Sequence, residues 1–249
     1  MFLTKHDLKL SYGIDLEIGA FHVDRKVPTE NLYWKSRTIY VPSAPGYLFI
    51  PIFSDLLFRA GLDKQHLLNE SQLQINESIL HAAALLEHGK INWKENVDQV
   101  FAGIKPHVHS LSLYEELKAY LGQGQKPVSM GSRFGTPYPS LNRADTYLAS
   151  ITTFDTTQFD VELAIEAWYA LMTYFLIMDD LADIKHDLKN NEENVLLDVG
   201  LDQHGAELIG QMIDQSIATM NKINPVMANR IDHKKSLIDL DEIIRSIRQ

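Results

Sequence analysis

Asp179, Asp180, Asp183 and Asp187 follow directly on a strongly apolar run in the stretch YFLIMDDLADIKHD. At 3.6 residues per turn each step of four rotates a helix face by only ~40°, so Asp179, Asp183 and Asp187 form one inclined row with Asp180 beside its start. Like charges packed this closely repel one another. Their place late in the helix also sets them against the macrodipole, at roughly a few tenths of a kcal/mol per charge. A bound cation accounts for such a row. Mg²⁺ is the cation that suits it, because it is held by one or two carboxylates, with water and substrate phosphate oxygens completing its shell.

Projected back along the same helix, Trp168, Tyr169, Met172, Phe175 and Leu176 lie within ~80° of the carboxylate face, one to three turns below it. Taken singly, each of these reads most simply as core packing. Taken together, they put an aromatic and aliphatic floor beneath a charged mouth, which suits a ligand with a diphosphate head and a hydrocarbon tail. Metal ions there would stabilise a departing diphosphate, and aromatic faces would hold a carbocation.

The stretch MDDLADIKHD resembles the late metal motif of the class I isoprenoid synthases, the all-α superfamily of trans-prenyltransferases, squalene and phytoene synthases and terpene cyclases. Asp179, Asp180 and Asp183 match its DDxxD pattern. Asp179, Asp183 and Asp187 match the spacing of the cyclases' metal triad and of the second acidic motif of squalene and phytoene synthases. The resemblance covers about 30 residues. It implies a helical bundle in which Asp179, Asp180, Asp183 and Asp187 hold Mg²⁺ and a prenyl diphosphate is bound and ionised, leading to prenyl transfer, coupling or cyclisation. It assigns no catalytic residue beyond these ligands.

The family also carries an earlier acidic motif on a facing helix, and here the chain departs from the pattern. Asp55 and Asp63 in FSDLLFRAGLD are the candidate facing carboxylates, with Arg59 in the middle position. Arg133 and Arg143 are the candidate diphosphate-binding cations. This departure motivates an alternative, a catalytically degenerate member that serves as a non-catalytic subunit or isoprenoid-binding protein; either reading allows a homodimer or a heterodimer. A third reading is a helical interaction protein with a solvated acidic edge.

The elements that must position these residues read as an all-α, single-domain helical bundle over residues 1–249. Apolar residues alternate from Leu8 to Ile18, a period of two that predicts a short β element at the N-terminus. Residues 1–45 otherwise read as an irregular N-terminal extension, and residues 24–45 are rich in Pro and polar residues. Helical patterning begins near Tyr47 and continues over 63–88, 92–105 and 111–122. A Gly- and Pro-rich loop over 123–140 carries Lys126 and Arg133. A helix is expected from Leu141 to about Ser150. Asp160 caps the central helix, which is apolar on almost all sides from Leu163 to Met178. Residues 190–194 break it, and helices over 196–222 and 226–247 close the chain.

Charge is distributed unevenly. The chain has 23 Lys and Arg against 33 Asp and Glu, a net charge of -10, which argues against a general affinity for nucleic acid. Residues 144–221 hold 15 acids and two basic residues, so the remainder carries about +3 and could supply a basic rim. The absence of cysteine rules out thiolate zinc sites and a Cys nucleophile, and fits a cytoplasmic protein. No transmembrane segment is expected, because the apolar run 167–178 is too short to span a bilayer. His107 and His109 lack an obvious third ligand, and His204 with Glu207 stands alone, so neither pair indicates a second metal site.

Overall fold

The structure, a computed structural model, describes residues 4–24 and 46–247, and among them every regular element is helical. The contacts sort the chain into two compact units, Met1–Gly124 with Asp145–Ala164, and Gln125–Ala144 with Ile165–Gln249. Each unit draws on two separate stretches of chain.

The first unit opens with two short helices, α1 (Lys5–Tyr12) and α2 (Leu16–Asp24), where the alternating pattern predicts a strand. Local signals decide against the strand. The Thr4 hydroxyl accepts the Asp7 N–H at 3.1 Å while the Asp7 carboxylate accepts the Thr4 N–H at 2.9 Å, a reciprocal capping box. Gly13, in the left-handed region at φ 70°, ends α1. Asp15 then caps α2 by accepting the Glu17 and Ile18 N–H groups. An alternation of six apolar residues contains every i, i+4 pair as well. Leu8 with Tyr12 and Ile14 with Ile18 are the pairs that become buried, leaving Leu10 76% exposed. Residues 4–24 of the expected irregular extension are therefore mostly helical, while the irregular stretch expected up to residue 45 lies, from 25 onward, outside the described residues.

Helix α3 (Gly46–Arg59) is followed by α4 (Lys64–Leu67) and α5 (Glu70–Glu87) where one helix was expected over 63–88. The interruption has a local cause, since Asn69 adopts an extended conformation and accepts the Gln72 N–H at 2.8 Å, starting a new helix. Helices α6 (Trp93–Ile104) and α7 (Leu111–Leu121) lie close to their expected bounds. The helix expected over 141–150 is instead two 3₁₀ pieces, Pro139–Asn142 and Asp145–Thr153, and every residue of the second is buried. That segment packs among α5, α6 and α7. The Tyr147 ring meets Phe53 edge-on at 5.8 Å.

In the second unit, residues 125–138 are irregular and carry positive-φ glycines at Gly131 and Gly135. The central helix, α8 (Val161–Asn190), belongs to this unit from Ile165 onward and is started by the Asp160 carboxylate, which accepts the Leu163 N–H at 3.0 Å. Trp168, Leu171, Met172 and Ile177 on α8 are almost fully buried. Each contributes about 1.5–3 kcal/mol of apolar burial as an upper bound. By length and composition α8 would also suffice to cross a bilayer, and 56% of its most apolar window is buried within the fold.

The expected helices over 196–222 and 226–247 are each divided. Helices α9 (Val195–Val199) and α10 (Gln203–Ile223) are separated at Gly200 and capped by Asn194 and Asp202. Helices α11 (Pro225–Lys235) and α12 (Leu240–Ile247) are separated by Ser236–Asp239, where Asp239 accepts the Glu242 N–H at 2.8 Å. Helix α10 packs against α9, α11 and α12.

Candidate functional site

The site is built on the last three turns of α8 and on the chain reversal directly after them. A row inclined by ~40° per step drifts around the helix, so its members need not share one environment. Asp179 and Asp183 are exposed, whereas Asp187 is only 7% exposed and Asp180 only 2%. By rotation Asp187 lies nearer to Asp180 than to Asp179, and burial divides the four aspartates accordingly into an outer and an inner pair.

The inner pair is held by specific donors. Asp180 Oδ1 accepts Arg143 Nη2 at 2.7 Å, and its Oδ2 accepts the Val195 N–H at 2.6 Å. Asp187 Oδ2 accepts Asn194 Nδ2 at 2.7 Å, and the same nitrogen donates to the Asp180 carbonyl at 2.8 Å. Asn194 is 1% exposed. The chain reaches this position by folding back at Asn191, which takes the left-handed φ of 56° that Asn tolerates better than most residues. The Glu192 N–H then donates to the Asp187 carbonyl at 2.9 Å.

Arg143, just after the Pro139–Asn142 turn, links the two pairs. Its Nη2 reaches Asp180 and, at 3.3 Å, the outer Asp179, while its Nη1 donates to the Ser140 carbonyl at 3.0 Å. Ser140 is fixed in turn by its N–H, which donates to Asp198 Oδ2 at 2.9 Å. Burial raises the Asp180 pKa above the ordinary aspartate range more than Arg143 lowers it. Burial likewise opposes the Arg143 charge, but the Asp180 hydrogen bond and the charges of Asp180, Glu193 and Asp179 outweigh it and raise the guanidinium pKa. The Glu193 carboxyl is also raised, first by desolvation and then by Asp180, against the pull of Arg143. Because Glu193 as a residue is exposed, solvent screening discounts that effect.

The other residues expected at the site are placed as follows. Trp168 and Met172 are packed in the interior, Leu176 is buried, and Tyr169 and Phe175 are half-buried. The Tyr169 hydroxyl accepts the Gly135 N–H at 2.6 Å, tying the Gly- and Pro-rich loop to α8. Arg133, on that loop, is exposed and lies over the Phe134 ring at 5.3 Å. Asp55 and Asp63 belong to the first unit, and both have local partners. Asp55 is buried, pairs with Arg59 Nε at 2.5 Å and accepts the Asp15 N–H at 2.8 Å, and burial leaves its pKa raised despite both contacts. Asp63 is exposed and caps α4 by accepting the Gln65 N–H at 2.7 Å. Among the described residues, no group of three or more His, Asp or Glu side chains converges as a cation cage. An open groove of about 700 Å³ in the second unit is lined by residues such as Gln203, Glu207 and Leu237, none of them in the acidic stretch.

Sequence reasoning missed Asn194, Val195 and Ser140. Asn194 had a signal, since the NEEN stretch marks the end of α8 and an Asn there is a natural cap for the next helix. Comparison with protein families, curated proteins and solved structures finds no match to the chain.

Proposed function

We propose that this chain is an isoprenoid-synthase-like protein that binds a prenyl diphosphate together with Mg²⁺ at the end of α8 and ionises it. The observation that carries this reading is the contact of one guanidinium, that of Arg143, with both Asp179 and Asp180. A mouth with a cation and exposed carboxylates side by side suits a metal–diphosphate pair, in which the anion takes the guanidinium and the metal takes the carboxylates.

The donor set fits the metal in part. Asp179 and Asp183 are exposed carboxylates one turn apart, and Asp183 has no hydrogen-bond partner among the described residues. Two carboxylates meet the usual protein share of a Mg²⁺ shell. Asp180 and Asp187 fit poorly, because both are buried, Asp180 accepts an N–H on each of its oxygens and Asp187 accepts the Asn194 amide on Oδ2. Asp179 and Asp183 are therefore the residues that would hold the ion, and the ion would supply charge neutralisation for the leaving diphosphate. Arg143 keeps its bond to Asp180 while its longer contact to Asp179 yields to a diphosphate oxygen. Resting against Asp180 keeps the guanidinium oriented for that exchange.

A second reading is favoured by the same two buried aspartates. With Asp180 and Asp187 committed to the fold, the chain resembles a catalytically degenerate member that binds an isoprenoid diphosphate without turning it over. One experiment separates the two. The protein is incubated with Mg²⁺ and geranyl, farnesyl or geranylgeranyl diphosphate, and diphosphate release is followed alongside thermal stability. Release that Asp179→Ala abolishes supports the enzyme. Mg²⁺-dependent stabilisation by the diphosphates without release supports the binder. A chain that responds to neither overturns both.

A further inference from the structure

We infer that Asn194 is the positioning residue of this mouth and that Asp187 serves as its buttress and not as a ligand for a cation. Both roles lie within the site proposed for the metal–diphosphate pair and, for their binding readout, rest on that reading. The Asn194 side chain engages both of its donors and its acceptor oxygen. Its Nδ2 donates to the Asp180 carbonyl at 2.8 Å and to Asp187 Oδ2 at 2.7 Å, and its Oδ1 accepts the Leu196 N–H at 3.0 Å. An amide with both N–H groups and its oxygen engaged in a buried place has one orientation.

That orientation fixes the next backbone group. The N–H of Val195 is presented to Asp180 Oδ2 at 2.6 Å, which leaves Oδ1 to face Arg143 at 2.7 Å. The sequence of causes runs from Asp187 through Asn194 and Val195 to the Asp180 carboxylate, and from there to the guanidinium beside Asp179. Asp187 enters only at the far end, as the acceptor that holds the amide. Were Asp187 to bind a cation through Oδ2, it would release Asn194 and with it the N–H that sets Asp180. Supporting groups that orient a ligand-binding side chain typically cost about 10–100-fold in affinity when removed.

The test uses the full chain, two variants and two readouts. Asp187→Asn keeps an acceptor oxygen for Asn194 but removes the negative charge, and Asn194→Leu removes both donors at nearly constant size. The first readout is the hindered guanidinium resonance of Arg143 in ¹⁵N-arginine-labelled protein, assigned by its loss in Arg143→Lys. The second is the affinity for inorganic diphosphate in the presence of Mg²⁺. Asp187→Asn is expected to keep the resonance and to leave affinity within about twofold, whereas Asn194→Leu is expected to average the resonance and to weaken affinity about tenfold or more. Asn194→Ser, which keeps a single donor, covers the case in which Asn194→Leu does not fold, and it too should broaden the resonance. Asp187→Asn abolishing binding would make Asp187 a metal ligand and overturn the inference. Asn194 variants that lower Tm while leaving Arg143 fixed would reduce Asn194 to a structural cap and overturn it as well. If the wild-type chain binds no Mg²⁺–diphosphate, the proposed function falls, and the Arg143 resonance still decides the positioning role.

Discussion

Asp180 and Asp187 stand seven residues apart on α8, within ~20° of one another around the helix axis, and both are buried, while Asp183 between them is exposed. Seven residues are almost two full turns, so this pair shares a face more closely than the row spaced by four. The acidic stretch thus combines an inward pair that belongs to the fold with an outward pair that is available to solvent.

The inward pair has a measurable pH signature. Burial outweighs Arg143 and raises the folded-state pKa of Asp180, so the native state holds this proton more tightly than the unfolded chain does. For a raised carboxyl, the contribution to stability is fully present below the ordinary value of 3.8 and is lost as pH rises through the raised value. Urea unfolding of wild type and Asp180→Asn at a series of acidic to neutral pH values should therefore show wild type losing ground to the variant as pH increases. The opposite slope would mean that the ion pair with Arg143 dominates over desolvation.

The outward pair separates stability from binding. Asp183→Asn removes an exposed charge with no partner among the described residues, so unfolding free energy should change by no more than about 0.5 kcal/mol. The stabilisation by Mg²⁺ with inorganic diphosphate that the proposed function requires should disappear in the same variant. A variant that retains that response removes Asp183 from the proposed metal site.

The Tyr169 phenol ties the loop after α7 to α8. Tyr169→Phe deletes the acceptor of the Gly135 N–H, and the expected cost is about 1–3 kcal/mol for a part-buried donor left unmet. Local opening should result, and it can be read by trypsin at the Arg133–Phe134 bond, where Phe134 is now buried. Cleavage no faster than in wild type would show that Asn142, which bonds Thr136 through both ends of its amide, holds the loop by itself.

Two glycines of α10 should respond in opposite directions. A Cβ on Gly205 would lie 1.8 Å from the Gly200 carbonyl oxygen, a backbone atom, so Gly205→Ala must displace the α9–α10 connection and should destabilise by about 1–3 kcal/mol or more. A Cβ on Gly210 meets nothing within 4 Å, so Gly210→Ala should stabilise by roughly 0.5–1 kcal/mol through helix propensity. Thermal unfolding of the two variants side by side checks both signs.

The helical class and the central element were legible in the sequence because their signals are local and redundant. Asp160 caps α8, and the residues after it are apolar on nearly every face. The N-terminal helices were illegible to periodicity because alternation at two also satisfies every i, i+4 pair, and only the Thr4–Asp7 box and Gly13 distinguish the outcomes. At the site, the residue types and the aspartate spacing could be read directly. The division into buried and exposed pairs could not, because it depends on where Asn194 and Arg143 arrive, 14 residues after Asp180 and 37 before it. Sequence spacing describes one helix, and these partners come from other segments.

Tyr147 on the buried 3₁₀ segment gives the first unit an optical marker. Its phenol pKa is pushed far up, first by desolvation and then by the charge of Glu77, so it ionises with difficulty while the unit is folded. Of the 10 tyrosines, those in contact with water will develop tyrosinate absorbance as alkali is added, while this one contributes only once the packing around Phe53 gives way. A late step in the alkaline absorbance titration, coincident with loss of helical circular dichroism, would time the opening of that interior without any label.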